Sequence, residues 1–296
     1  MVPTRNRQPF VCELITTILQ GTEAPGEIVV IDQSDAPDEQ LDAIAAEHES
    51  VVVHRLSRSR GVSAARNEGI RTARYEVIAF MDDDVLPTST WLATLVSTLV
   101  EAGSRTLVTG QVRSGEPETR GGFAPSLKPE AQPAVYEGRS AANILWTNNM
   151  AMSRSVVDEI GFFDERLGPG RKRFPAGEDN EFCFRVLEAG YRIVYQPDAI
   201  VYHRAWRPDA DYLGVRWDYG RGQGGFYAKH LRLRDPYMVR QMARHVVSCG
   251  VDAVTQSRKS PRVAVGSAAY GAGIVSAAVE WMLTQRLLSN RRRRAD

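Results

Sequence analysis

Three consecutive aspartates, Asp82, Asp83 and Asp84, are the side chains of this sequence best suited to chemistry. They directly follow the apolar run Val77–Met81, which is typical of a strand buried on both faces. In open α/β sheets, ligands bind beyond the carboxyl ends of the strands, so the aspartates stand where a site is expected. Adjacent carboxylates repel one another, and a divalent cation such as Mg²⁺ or Mn²⁺ would relieve that repulsion. The run therefore predicts a metal site, and an acidic surface turn is the alternative.

A second carboxylate pair, Glu178 and Asp179, opens a predicted helix that ends near Ala189. Helical spacing places Asp179 on an apolar stripe and Glu178 on a charged stripe that we expect to face solvent. The charged stripe also contains Glu181, Arg185 and Glu188. Helix capping explains Glu178 but gives no reason for an acid on the buried face. A partly desolvated carboxylate can act as general base towards an acceptor hydroxyl, and we predict this role for Asp179.

Short β-branched runs alternate with helical patterns over the first two-thirds of the chain, which predicts a mostly parallel sheet flanked by helices. The predicted strands are Glu27–Asp32, Val51–Arg55, Val77–Met81, Leu107–Val112, Tyr191–Tyr195 and Ala199–His203. The predicted helices are Phe10–Gln20, Asp38–Glu49, Ser63–Ala73, Thr90–Ala102 and Asp179–Ala189. The predicted long loops are Ser114–Ser140 and Arg166–Gly177. After about residue 232 only helical patterns follow, over Asp235–Cys249 and Val263–Leu288.

Composition excludes several classes of protein. With 296 residues, 43% of them hydrophobic and 25% charged, the chain has an ordinary globular composition. The net charge of +1 gives no electrostatic reason to expect a nucleic-acid partner. Cys12, Cys183 and Cys249 fit neither a disulfide framework nor a zinc site, which favours a reducing compartment. No long apolar stretch follows a basic start, so we expect no secretory signal and a cytoplasmic location.

The end of the chain combines the uncharged run Val263–Val279 with the basic run Arg291–Arg294. The uncharged run is shorter than the roughly 20 residues that cross a bilayer. One interpretation is an interfacial helix whose arginines lie near anionic headgroups, at the inner face of a membrane. The other interpretation is a helix that packs on the domain or on a second subunit of an oligomer.

Seven short motifs occur in the order found in family 2 glycosyltransferases, and from Pro3 to His203 the chain resembles that family, which has the GT-A fold. The motifs are Pro3–Arg7, Glu27–Asp32, Gly61–Gly69, Phe80–Asp84, Asn148–Ala151, Gly161–Glu165, and Gly177–Asp179 with Val201–His203. The resemblance implies a GT-A catalytic domain over residues 1–232, followed by a helical extension over 233–296. The nucleotide-sugar half would span about 1–113 and the acceptor half about 140–232.

The resemblance also implies roles for individual residues. The donor-binding residues would be Thr4, Arg7, Asp32, Arg66, Asp82 and Asp83. The Mg²⁺ or Mn²⁺ ligands would be Asp82, Asp84 and His203, and a purely structural histidine is the alternative for His203. Asp179 matches the catalytic base of the family, in agreement with its predicted place on the helix. The acceptor-binding residues would be Trp146, Asn148, Asn149 and Glu178, with a core position as the alternative for Trp146.

The implied reaction is metal-dependent, inverting transfer of one sugar from a nucleotide-diphospho-sugar to a hydroxyl of a polysaccharide or lipid-linked acceptor. Arg216-Trp217 lacks the Gln-x-x-Arg-Trp context of processive members, which implies single-sugar transfer. Only Met1 and Val2 precede the Pro3-Thr4 motif, fewer apolar residues than the family's first strand has. We therefore expect either a start further upstream or a compromised domain. A nucleotidyltransferase and a non-catalytic nucleotide-sugar-binding subunit are the alternative functions.

Overall fold

A computed structural model describes residues 1–116, 122–204, 206–231 and 235–292, with side chains described up to residue 284. The chain divides into two compact units. The first comprises Met1–Asp164 and Phe182–Pro208, and the second comprises Glu165–Glu181 and Asp209–Asp296. The chain passes from the second unit back into the first inside a single helix, Glu178–Glu188.

Strands alternate with helices through the first unit. Its strands are β1 (Val2–Thr4), β2 (Ile28–Asp32), β3 (Val51–Arg55), β4 (Val77–Phe80), β5 (Val85–Pro87), β6 (Thr106–Ser114), β7 (Gly122–Phe123), β8 (Ala134–Tyr136), β9 (Met150–Ser153), β10 (Arg192–His203) and β11 (Arg207–Pro208). Its helices are α1 (Gln8–Leu19), α2 (Glu39–Glu47), α3 (Val62–Thr72), α4 (Trp91–Ala102), α5 (Val156–Ile160) and most of α6 (Glu178–Glu188).

The main strands of the first unit form a parallel sheet, in the order β1-β2-β3, and a larger sheet, in the order β4-β9-β6-β10-β5 with β8 on β10. Met1 links the two sheets. Its amino group donates to the carbonyl of Ala79 at 2.8 Å, and its carbonyl accepts from the amide of Met81 at 3.1 Å. Because β5, β8 and β9 run antiparallel to their neighbours, the larger sheet is mixed, whereas the sequence predicts a mostly parallel one.

Most predicted elements of the first unit are confirmed with shifts of one or two residues at their ends. Two predicted strands, Tyr191–Tyr195 and Ala199–His203, are one strand, β10, with an irregularity between Gln196 and Ile200. The predicted loop Ser114–Ser140 contains β7 and β8 in its described part. These strands have only two or three residues, so their pairing with distant strands, rather than a local pattern, defines them.

The apolar stripe predicted for α6 is confirmed. Phe182, Cys183, Val186 and Leu187 are at most 2% exposed, and they lie in one core cluster with residues of β4, β9 and β10. The ring of Phe182 stacks on that of Phe163, with 4.2 Å between the ring centroids. This packing anchors most of α6 in the first unit.

The second unit is helical, with α7 (Tyr212–Lys229), α8 (Tyr237–Thr255) and α9 (Pro261–Arg292). Glycines hold α7 and α9 close together, because a Cβ atom at Gly220 or Gly224 would overlap the carbonyl of Tyr270 or Ile274. Helix α7 therefore belongs with the helices that follow it. The boundary predicted near residue 232 falls inside this unit, since the resemblance to the family places α7 in the preceding domain.

Candidate active site

Asp82 and Arg66 form the first contact of the aspartate run, at the carboxyl end of β4. Arg66, on α3, is almost fully buried, and its guanidinium donates to Asp82 Oδ1 at 2.7 Å. It also lies over the ring of Phe163, 5.8 Å from the ring centroid. A buried guanidinium needs a paired anion, and Asp82 supplies it while keeping 31% of its own side chain exposed. Asp82 thus stands at the boundary between the core and solvent.

Asp83 and Asp84 are both buried and share one cation, the guanidinium of Arg7. Arg7 Nη1 lies 3.1 Å from Asp83 Oδ1 and 2.5 Å from Asp84 Oδ2. The hydroxyl of Thr4 donates to the other oxygen of Asp83 at 2.8 Å. Burial, followed by the charge of Asp84, raises the pKa of Asp83 to about 6 against the lowering effect of Arg7. Arg7 and Thr4 therefore reach the aspartates from the motif at the end of β1.

His203 meets Asp84 because β10 pairs with β5 in a register that sets His203 opposite Val85. Its Nε2 lies 3.4 Å from Asp84 Oδ1, and its Nδ1 lies 3.1 Å from the carbonyl of Pro125. Burial alone would raise the pKa of Asp84, but His203 and Arg7 outweigh burial and hold that pKa far below its usual range. The pKa of His203 is raised, because the contact with Asp84 outweighs the lowering effect of burial.

The donor atoms here fit a divalent cation in part. Asp84 Oδ1 is buried and makes no hydrogen bond with any described residue. It faces an imidazole whose second nitrogen is fixed by a carbonyl, an arrangement typical of metal-binding histidines. Asp82, the other predicted ligand, is turned towards Arg66. Among the described side chains, no three His, Cys, Asp or Glu residues converge as a complete metal site. Of the three predicted ligands, Asp84 and His203 are the two whose side chains face each other.

Asp32 completes the set of predicted donor-binding residues. It ends β2 beside Thr4, which ends β1, because these two residues are partners in the parallel register. Its carboxylate accepts from the amide of Ser34 at 2.8 Å and lies 3.6 Å from the guanidinium of Arg55. The donor-binding residues predicted from the sequence therefore gather around the carboxyl ends of β1, β2 and β4.

The predicted acceptor-binding residues of the first unit have different surroundings. The side-chain amide of Asn149 accepts from the indole of Trp91 at 2.8 Å and donates to the carbonyls of Gln111 and Ala199. Asn149 is fully buried, and its amide joins α4, β6 and β10. The acceptor contact of Asn149 stays a prediction. Asn148 is also buried, but its Oδ1 has no hydrogen-bond partner in the part of the chain that the structure describes. Trp146 lies in the core, with the ammonium of Lys128 5.1 Å from its ring centroid.

Asp179 is half-buried in the first turn of α6, and its Oδ1 accepts from the amide of Asn180 at 2.8 Å. Helix α7 holds this turn within the second unit. Asn180 donates to the side chain of Gln223 at 2.8 Å, and Glu181 pairs with Lys229 at 2.7 Å and with His230 at 2.9 Å.

The solvent-facing stripe predicted for α6 is wrong at Glu178 and Glu181, which are 6% and 0% exposed. Lys229 and His230, at the end of α7, are the partners of the buried carboxylate of Glu181. Sequence reasoning missed these partners because it did not predict α7 as a helix. The carbonyl of Pro125, which orients His203, lies in an irregular segment with no sequence signal.

Comparisons with known proteins identify the family and the fold of the chain. The profile of the family described as "Glycosyl transferase family 2" matches residues 1–161, more than half of the chain. The pre-mycofactocin glycosyltransferase of Mycobacterium tuberculosis is 28% identical over 237 residues, which are 78% of this chain and 47% of that protein. The chain thus spans about half the length of this relative. The glucosyl-dolichyl phosphate glucuronosyltransferase of Haloferax volcanii is 25% identical, over 69% of this chain and 68% of its own.

Among solved structures, a mannosyltransferase from Pyrobaculum calidifontis in complex with GDP-Man and Mn²⁺ is similar with a TM-score of 0.61. It is 17% identical in sequence, and the match covers 95% of this chain and 85% of that chain. The fold is accordingly the GT-A fold of nucleotide-sugar transferases, as predicted. Within that class, the chain belongs to glycosyl transferase family 2.

Proposed function

We propose that this protein is a glycosyltransferase that moves one sugar from a nucleotide-diphospho-sugar to a hydroxyl of an acceptor, with inversion at the anomeric carbon. The observation that carries this proposal is the convergence of four side chains on the aspartate run at the end of β4. Arg66 pairs with Asp82, Arg7 and Thr4 contact Asp83, and His203 faces Asp84.

The donor would bind along the carboxyl ends of β1, β2 and β4. Thr4 and Asp32, side by side at the ends of their strands, would hold the nucleotide base, and Arg66 would lie beside the base or the diphosphate. Asp84 and His203, joined by Asp82, would hold Mg²⁺ or Mn²⁺. When bound, that cation would neutralise the charge that develops on the leaving diphosphate. The Mn²⁺ in the related mannosyltransferase complex supports this choice of cofactor.

Asp179 would act as the general base. It would take the proton of the acceptor hydroxyl, whose oxygen attacks the anomeric carbon from the side opposite the diphosphate. The bond to the diphosphate oxygen breaks in the same displacement, so a single step inverts the configuration. Trp146, Asn148 and Glu178 are the proposed acceptor-binding residues. Among the described residues, none forms a hydrogen bond with Asn148 Oδ1, which supports its role because such a buried carbonyl oxygen can accept a hydrogen bond from a ligand.

The acceptor would be a polysaccharide or a lipid-linked glycan. The name of the Haloferax volcanii relative, a glucosyl-dolichyl phosphate glucuronosyltransferase, supports the lipid-linked class. We propose that the protein works in the cytoplasm, with peripheral contact at the inner face of a membrane through α9. The basic run Arg291–Arg294, which belongs to the same proposal, lies outside the residues whose side chains are described.

A panel of nucleotide-diphospho-sugars tests the proposed donor class. The preferred donor, at about 100 times its Kd, should stabilise the folded protein by about 2.7 kcal/mol, and only with Mn²⁺ or Mg²⁺ present. Asp84→Asn should remove the metal-dependent part of the melting shift. Asp198→Asn, at an exposed carboxylate of the same unit, is the matched control. Stabilisation that survives excess EDTA, or none by any donor in the panel, would contradict the proposal.

A further inference from the structure

The outward face of α9 is an uninterrupted apolar stripe. Residues three and four apart lie on one side of a helix. The stripe at this spacing consists of Val265, Ala268, Ala272, Val275, Val279 and Met282, all of them exposed. A helix on the surface of a globular unit normally turns polar residues outward, and an apolar outward stripe marks a surface that meets something apolar.

Helix α8 carries a second outward stripe, which is apolar in its middle and basic at both ends. Its members, again three or four residues apart, are Arg240, Arg244, Val247, Val251, Val254 and, just beyond the helix, Arg258. The three valines are between 54% and 74% exposed. Cys249, on the opposite side of α8, packs on Gly271 of α9, so this stripe faces away from the unit. We refer to the stripes of α8 and α9 together as the outer face.

The sequence of the segment that carries the outer face is rich in basic residues. From residue 237 to residue 296 it has three acidic residues, Asp252, Glu280 and Asp296, and ten lysines and arginines, Arg240, Arg244, Arg258, Lys259, Arg262, Arg286 and Arg291–Arg294. Arg262 is paired with Asp209 at 2.7 Å. Glu280 is paired within the unit with Arg221 and with Arg173, the latter at 3.3 Å, so it does not offset the outer charge. Apolar stripes with basic flanks match an anionic lipid surface. A second copy of the outer face would bring like charges together.

Helix α9 is better placed to lie on a bilayer than to cross it. Among the described residues it is the one helix long and apolar enough to span a membrane, over Pro261–Thr284. However, its inner face packs on α7, where Arg221 donates to Ser276 at 3.1 Å and pairs with Glu280. Crossing the bilayer would separate α9 from α7 or draw the charges of α7 into lipid, and either change is costly.

We propose that the outer face of α8 and α9 docks on an anionic phospholipid surface, with the valines in the interfacial region and the flanking arginines at the headgroup phosphates. This inference rests on the proposed function in one respect: docking on a membrane would bring a lipid-linked acceptor to the protein. The docking surface itself follows from the exposure and charge of its residues.

Co-sedimentation of the full chain with vesicles tests the surface. We expect binding to vesicles that contain phosphatidylglycerol and none to pure phosphatidylcholine. The double variant Val251→Glu with Val275→Glu should weaken binding at least roughly tenfold. Each valine gains free energy when it leaves water on docking, and a glutamate in its place would not. Val100→Glu, which changes a 70% exposed valine on α4, is the matched control and should bind like the wild type.

Two results would contradict the proposed docking surface: no binding to phosphatidylglycerol vesicles, or undiminished binding of the double variant. A dimer in light scattering that the double variant abolishes would assign the outer face to a second copy instead. The donor-induced melting shift, measured without vesicles, separates the two proposals. If that shift persists while vesicle binding fails, the docking surface and the membrane contact are wrong and the proposed transfer reaction stands. The reverse pattern rejects the proposed reaction and keeps the docking surface.

Discussion

Arg7 is the residue that sets the charge balance of the aspartate run. Its guanidinium contacts both Asp83 and Asp84, while the second oxygen of Asp84 faces His203 and has no hydrogen bond within the described ranges. A divalent cation held by Asp84 and His203 would therefore share its carboxylate with a fixed positive charge. In the donor-free protein, Arg7 and the cation would compete, whereas the negative diphosphate of a donor would favour both.

Replacing Arg7 by Gln should strengthen the binding of Mn²⁺ to the donor-free protein. Because the side chain of Arg7 is 36% exposed and partly screened by solvent, we expect a modest gain of roughly tenfold, or about 1.4 kcal/mol. Titration of free Mn²⁺ by electron paramagnetic resonance measures this directly. Arg5→Gln, which removes an exposed pair with Asp35, is the control and should leave Mn²⁺ affinity unchanged. Unchanged or weaker Mn²⁺ binding by the Arg7 variant would show that the two cations do not compete.

Helix α7 is the element on which the second unit depends. Its glycines let the backbone of α9 approach closely, and its last turn supplies the partners of Glu181 on α6. Glycine inside a helix costs about 0.5–1 kcal/mol relative to alanine, so its repeated use in α7 makes sense where close packing compensates.

Gly224→Ala should lower the free energy of unfolding by about 1–3 kcal/mol, because the added Cβ atom would overlap the carbonyl of Ile274. At Gly214, near the start of the same helix, an added Cβ atom would meet no other atom within 4 Å. Gly214→Ala should therefore be neutral or stabilising by up to about 1 kcal/mol. Urea denaturation of the two variants measures the difference. Equal stabilities would refute the close approach of α7 and α9.

On the scale of the whole molecule, the sequence predicts features that depend on local pattern. The run Val51–Arg55 is a strand with the predicted bounds, and the donor-site residues stand at strand ends because their motifs include those ends. Features that depend on distant partners are not predictable in this way. Glu181 is buried because of His230, 49 residues away in sequence, and helical spacing alone placed it on a solvent-facing stripe.

The same limit applies to neighbouring residues that look alike. Asn148 and Asn149 share one motif, and the sequence predicts an acceptor contact for both. The structure separates them, because the amide of Asn149 contacts Trp91 and two carbonyls, while Asn148 Oδ1 has no hydrogen bond from the residues that are described. Local spacing indicates where a polar side chain belongs along the chain, but the packing of three elements decides whether it is free to bind a ligand.

In the proposed mechanism, Asp179 takes the proton of the acceptor, and the aspartates after β4 bind the leaving group. The direct measurement is sugar transfer by Asp179→Asn with the preferred donor and Mn²⁺, alongside the donor-induced melting shift of the same variant. Asp158→Asn is the matched control, an exposed acid in the first turn of α5. We predict that Asp179→Asn loses transfer by about 10²–10⁴-fold and keeps the melting shift, while the control keeps both. Transfer by Asp179→Asn at the wild-type rate would contradict the account.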